Sequence, residues 1–153
     1  MQGIELKIPP PIVALLIAIA TWWIAQATPA VKLTDNARLS ATIISALTGI
    51  AFVVAGSASF RRAGTTVNPM KPEMTSSLVT SGIYRVTRNP MYVGLSIILV
   101  AFAIFLSSGW ALIGPITNVL YLNRFQIIPE ERALAAMFGA DYTSYVARVR
   151  RWI

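Results

Sequence analysis

The chain is 153 residues long, 56% hydrophobic and 12% charged, where an ordinary soluble domain carries roughly 25% charged residues. Its mean hydropathy of +0.64 puts more apolar surface outside than water tolerates and excludes an ordinary soluble globule. The chain has no cysteine and no histidine, which excludes disulfide frameworks, thiolate or imidazole metal sites and Cys or His catalysis; 13 Lys+Arg against 6 Asp+Glu leave a net charge of +7.

Crossing a hydrocarbon core about 30 Å thick takes roughly 20 helical residues, so charge-free stretches of that order define the predicted elements. The first span is predicted at about 12–31, opened by Pro9, Pro10 and Pro11, with Trp22, Trp23 and Pro29 toward its far end. It is long, carries two tryptophans and precedes further spans, so it reads as a span and not as a signal peptide. The second is predicted at 39–60. Its Ser45/Gly49 and Ala55/Ser59 pairs, four apart, mark positions where another helix packs closely.

A polar connection, 61–90, comes next. From Asn89 to Asn123 there are 35 uncharged residues, too many for one span and broken by Ser107, Ser108 and Gly109. This predicts a helical hairpin with spans at about 91–106 and 110–123, the second kinked at Gly114-Pro115. The tail, 124–153, reads as two short helices. Pro129-Glu130-Glu131 opens one, Gly139 stops it, and Asp141 caps a second with a Tyr142, Tyr145, Val146, Val149 apolar stripe.

The basic residues partition between the ends of these spans. Lys7, Arg61, Arg62, Lys71, Arg85, Arg88, Arg124, Arg132, Arg148, Arg150 and Arg151 fall on one side, Lys32 and Arg38 on the other. The positive-inside rule then makes both termini, the 61–90 connection and the tail cytoplasmic, and accounts for the net charge without nucleic acid. The expected fold class is an all-α integral membrane protein: four transmembrane helices under a cytoplasmic cap of a long loop and C-terminal amphipathic helices. It forms a single domain, 1–153, expected in a bacterial or archaeal inner membrane.

The polar segments carry a resemblance. Gly64-Thr65-Thr66-Val67-Asn68-Pro69, the run SSLVTSGIYRVTRNPMYVG from Ser76 to Gly94, and PEERALAAMFGADYTSYVARVRRWI from Pro129 to Ile153 together resemble the isoprenylcysteine carboxyl methyltransferase family and related phospholipid methyltransferases. The likeness covers roughly the last ninety residues. It implies an integral membrane enzyme that binds S-adenosylmethionine on its cytoplasmic side and methylates a lipophilic acceptor from the bilayer: a prenylcysteine-like or isoprenoid carboxylate, or alternatively a phospholipid amine or a thiol. It implies no metal. Carried over residue by residue, the cofactor would be held by Leu78, Val79, Tyr84, Asn89, Pro90, Met91, Tyr92 and Glu130, with Glu130 and Arg124 as catalytic residues and Arg124 and Gln126 facing the acceptor. Members often have His where Ser76 and Asn89 stand here, and Pro where Ile83 and Arg150 stand.

The residue types suit that chemistry on their own terms. Glu130 or Glu131 can accept hydrogen bonds from an amino group or ribose hydroxyls, Tyr84 and Tyr92 can flank an adenine or a cationic sulfur, and Arg85 or Arg88 can pair with a carboxylate. Neighbouring helical side chains diverge by about 100°, so one glutamate of the pair is expected to face the cavity. Two other classes compete. A small transporter would normally put an ionisable residue inside a span, and a nicotinamide-dependent membrane reductase would use additional spans.

Overall fold

The computed structural model describes residues 5–65, 70 and 75–153. Within these, α1 is Pro10–Gln26, α2 Asp35–Arg62, α3 Pro90–Phe105, α4 Ile113–Leu122 and α5 Ile128–Arg148, and no strand occurs. Short 3₁₀ turns at Gly82–Arg85 and Gly109–Leu112 and a π-helical turn at Asn123–Ile127 complete the order. Thr66 to Pro69 of the first motif, and Lys71, lie outside the described residues.

Proline sets several of the helix starts. Pro10, Pro90 and Pro129 each occupy a first turn, where the missing N–H has no intrahelical partner to lose. Thr34 caps α2 by accepting from the Ala37 amide, and Asp35 sits next to it at the positive end of the helix dipole.

Hydrogen bonds between connections show which ends meet. At one end, the Val31 amide donates to the Ser107 carbonyl at 2.6 Å and the Thr28 and Ser108 hydroxyls lie 2.9 Å apart. At the other, the Leu6 amide donates to the Phe125 carbonyl and the Arg88 amide to that of Arg150. The segment before α1, the residues just before α3 and the C-terminal residues therefore gather at one end, and the α1–α2 and α3–α4 connections at the other.

Glycine brings α2 and α3 together. A Cβ at Gly94 would stand 2.5 Å from the Gly49 carbonyl oxygen and 2.6 Å from Val53 Cγ2, and one at Gly56 would stand 2.7 Å from Met91 Cγ. Backbone cannot yield as a flexible side chain can, so Gly94→Val is expected to destabilise the bundle by about 1 to 3 kcal/mol. A lowered thermal midpoint of the detergent-purified variant is the measurement, and an unchanged midpoint would show that α2 and α3 do not approach this closely. The close positions are Gly49, Gly56 and Ser59, all buried; Ser45 and Ala55 of the expected pairs are not.

Several predicted boundaries shift. The first helix stops at Gln26, five residues short of the expected 31, because Pro29 disfavours helical backbone before it and Thr28 turns its hydroxyl onto the Ile24 carbonyl. The hairpin turn falls at Ser107 as expected, with φ +52°. Gly114-Pro115 makes no mid-span kink. Pro115 sits in the first turn of α4, and Gly114 lets Thr21 of α1 approach where a Cβ would collide with its hydroxyl. The irregularity lies later, in the π turn.

At about 1.5 Å per residue the 17 residues of α1 span about 25 Å and the 28 of α2 about 42 Å. Of the described helices, α2 alone is both long and apolar enough to cross a membrane, and α1 and α3 are shorter apolar helices. The exterior is apolar nevertheless. Ile43, Ile44, Leu47, Ile50 and Val54 of α2, Leu15 and Leu16 of α1 and Ile116 and Leu120 of α4 all face outward. The tail is a helix broken at Gly139, whose φ of +48° and ψ of −116° no helix accommodates, and Tyr142 and Tyr145 bury the stripe while Val146 stays exposed.

Candidate functional site

The expected site residues lie at the end where the termini gather. A π turn holds one more residue per hydrogen-bonded loop than an α turn, so it rotates α5 relative to α4. Here it buries Gln126 and Ile127 below the start of α5, beside Leu122. Tyr92 of α3 packs on Leu122 and Ile127, with Leu95, Tyr121 and Trp152 around them.

Glu130 stands on this platform. Its Oε1 accepts from the Tyr92 hydroxyl at 2.5 Å and from the Gln126 amide at 2.6 Å, and no Lys or Arg of the described residues pairs with it. Desolvation pushes its carboxyl up to about 7, against the pull of those two donors, and the neighbouring Glu131 charge adds to the rise. Tyr84 is also buried: desolvation raises its phenol, and electrostatic repulsion from Tyr145 and Glu130 raises it further. The Tyr84 ring meets Phe60 edge-on at 5.4 Å, and its carbonyl accepts from the Tyr145 hydroxyl at 2.7 Å.

Glu131 does something different. Arg151 grips it through Nε at 3.0 Å and Nη2 at 2.6 Å, and Arg88 adds a pair at 3.0 Å. Arg151 Nη1 also donates to Asn123 Oδ1 at 3.0 Å, while the Arg151 carbonyl accepts from the Asn89 side-chain amide at 2.9 Å and the Thr87 hydroxyl at 3.2 Å. The C-terminal residues are thereby laced to 87–89. Of the paired glutamates, one is tied into this lattice and the other faces Tyr92 and Gln126 with no cation paired to it among the described residues.

The remaining expected residues divide. Pro90 is buried in the first turn of α3, Met91 lies under Gly56 with its sulfur 3.5 Å from the Ser57 hydroxyl, Val79 is buried and Leu78 half-buried. The Asn89 side chain is engaged by the tail carbonyl. Arg124 is not brought to Glu130: it donates to Glu5 at 2.8 Å and lies 5.3 Å over the Phe125 ring. Arg85 is exposed and Arg88 is engaged by Glu131. Sequence reasoning missed Asn123, Thr87, Arg151 and Trp152, whose partners are largely backbone carbonyls or lie far off in sequence. An apolar cleft of about 170 Å³ lined by Val31, Leu33, Ala103, Ile104 and Leu112 lies at the opposite end, beside the Ser107 turn, and holds no ionisable side chain.

Among the described residues the protein is an all-helical bundle with an apolar exterior, carrying a half-buried carboxylate where α3, the π turn and α5 meet. A model of the phospholipid methyltransferase family matches residues 37–141, more than half of the chain, and the chain belongs to that family. Family membership places it in the isoprenylcysteine carboxyl methyltransferase-like group and makes it a membrane methyltransferase; such enzymes generally use S-adenosylmethionine. It is also similar to an uncharacterized protein of Haemophilus influenzae, 41% identical over 63 residues, which are 41% of this chain and the whole of that relative. No solved structure matches it.

Proposed function

We propose that the protein transfers a methyl group from S-adenosylmethionine to an amine-bearing membrane lipid, at the end where α3, the π turn and α5 meet. The observation that carries this reading is Glu130: a half-buried carboxylate with two neutral donors and, among the described residues, no cation. Such a group is costly unless a positive ligand arrives, and the cofactor's ammonium is one. The proposed donor site adds Tyr84 and Tyr92, whose hydroxyls suit ribose or adenine edges, and Leu78, Val79, Asn89, Pro90 and Met91 as further cofactor contacts. When bound, the cofactor supplies a methyl group already activated on a sulfonium.

The chain's own work is then to bind, orient and exclude water. An amine-bearing phospholipid is the acceptor class that the matching family's description supports. A second reading keeps a prenylcysteine-like carboxylate as acceptor, with Arg124 as its cation and Gln126 beside it. What supports it is that Arg124 already holds a carboxylate, Glu5. In the same proposal the four apolar segments all cross the bilayer, with the short helices completed by their connections, and residues 1–153 act as one domain with both termini cytoplasmic.

Calorimetric titration of detergent-purified protein with S-adenosylhomocysteine and with NADPH tests the cofactor. The former is expected to bind and the latter not, and the reverse would make the protein a reductase. Transfer of radiolabelled methyl in parallel to phosphatidylethanolamine and to a prenylcysteine acid then tests the acceptor. Label in the prenylcysteine ester alone would overturn the amine reading in favour of the second.

A further inference from the structure

Arg124, in the π turn, and Arg132, in α5, converge on one carboxylate. Glu5 Oε1 accepts from Arg124 Nη1 at 2.8 Å and Oε2 from Arg132 Nη2 at 2.5 Å, so each guanidinium holds its own oxygen. Two guanidiniums set one carboxylate apart can equally hold two oxygens of a tetrahedral phosphate. The arginine side chains are 42% and 56% exposed against 14% for Glu5, so the guanidinium side of each pair is open to solvent and screened. The segment that delivers Glu5 is itself held at some cost, since Leu6 sits at φ +57°, which an L side chain disfavours.

The position of the pair names its ligand. Ile116 and Leu120 lie on the outward apolar face of α4, and Arg124 follows in the π turn that continues it, its side chain 42% exposed. The Tyr121 and Phe125 rings lie 4.9 Å apart beneath it. An arginine and aromatics bordering an apolar exterior mark the depth of lipid headgroups. Glu5 is paired by two cations, and Lys7, exposed close by in sequence, adds to the positive charge of this segment.

We infer that Arg124 and Arg132 form a site for the phosphate of an anionic phospholipid headgroup, and that Glu5 is its intramolecular occupant, displaced when the lipid binds. The site does not rest on the methyl-transfer reading, because its readout is lipid binding without cofactor. The probe is dihexanoyl phosphatidylglycerol, titrated calorimetrically below its micellar concentration into detergent-purified protein at low salt. Glu5→Gln removes the competitor and is expected to bind the lipid about fivefold more tightly than wild type. Adding Arg132→Gln to that variant is expected to lose at least about tenfold. Equal affinity of wild type and Glu5→Gln would overturn the inference, as would full binding in the double variant. Inorganic phosphate binding to Glu5→Gln as tightly as the lipid would overturn the headgroup assignment, as would tighter binding of a prenylcysteine acid. Should Glu5→Gln fail to fold, Arg132→Gln alone against wild type decides, with loss of lipid binding expected and retention overturning it.

Discussion

Glu130→Gln is expected to weaken S-adenosylhomocysteine binding roughly tenfold or more at pH 8, and at the same time to raise the thermal midpoint of the cofactor-free protein. The binding loss comes from charge. Gln keeps the shape and one acceptor for Tyr92 or Gln126 but removes the anion, and a charge-assisted hydrogen bond is worth about 1.5 to 3 kcal/mol at about 1.4 kcal/mol per decade. The stability gain comes from the same burial. With the carboxyl raised from 4.5 to about 7, the folded protein holds a proton that the unfolded chain releases, so Glu130's contribution to stability is fully present below about 4.5 and is lost as pH rises to about 7. Above that window the ionised Glu130 costs up to about 3 kcal/mol, a penalty absent from the Gln variant.

These opposite signs separate a binding role from a structural one. Wild-type affinity for the cofactor product is expected to rise with pH through about 7 and level off above, as the carboxylate ionises, and the Gln variant should show no such rise. Calorimetry at pH 6 and 8, with midpoints recorded at both, reads all of it. A variant that binds like wild type would remove Glu130 from the donor site; one that binds weakly and also melts lower would make it a structural residue.

Much of this arrangement was legible in the chain. Charge-free runs and first-turn prolines foretold the helices, because both are local: a proline at position one or a glycine at 139 acts through its own backbone. The paired glutamates and Tyr92 stood out for their chemistry. The illegible part depends on partners distant in sequence. Gly94 reads as an ordinary helix residue until the Gly49 carbonyl is set against it, and the length of the first helix turns on how Thr28 and Pro29 share one connection. The π turn has no composition signal, yet it separates Arg124, which faces Glu5, from Gln126, which faces Glu130. Arg151 looked like one more cytoplasmic charge, and its partners, Glu131 and Asn123, lie 20 and 28 residues away.

Glu131→Gln is expected to act in the other direction from its neighbour, lowering the thermal midpoint while leaving cofactor affinity near wild type once folded. Its carboxylate is 20% exposed and answers two cations: Arg88, only 11% exposed, and Arg151, which binds it through two nitrogens. Removing the charge strands both guanidiniums at a half-buried joint, and breaking a buried pair from one side costs about 3 to 5 kcal/mol, reduced here because Arg151 is 34% exposed. The expected loss is about 2 kcal/mol. Arg151→Gln should cost less, since Arg88 still neutralises Glu131, and the double variant should cost less than the sum because the two groups share one bond network. Chemical or thermal unfolding of the four proteins in one detergent measures the coupling. Additive losses would show that Arg151 and Glu131 do not act together, and that the C-terminal residues are held to 87–89 by the Thr87, Arg88 and Asn89 hydrogen bonds alone.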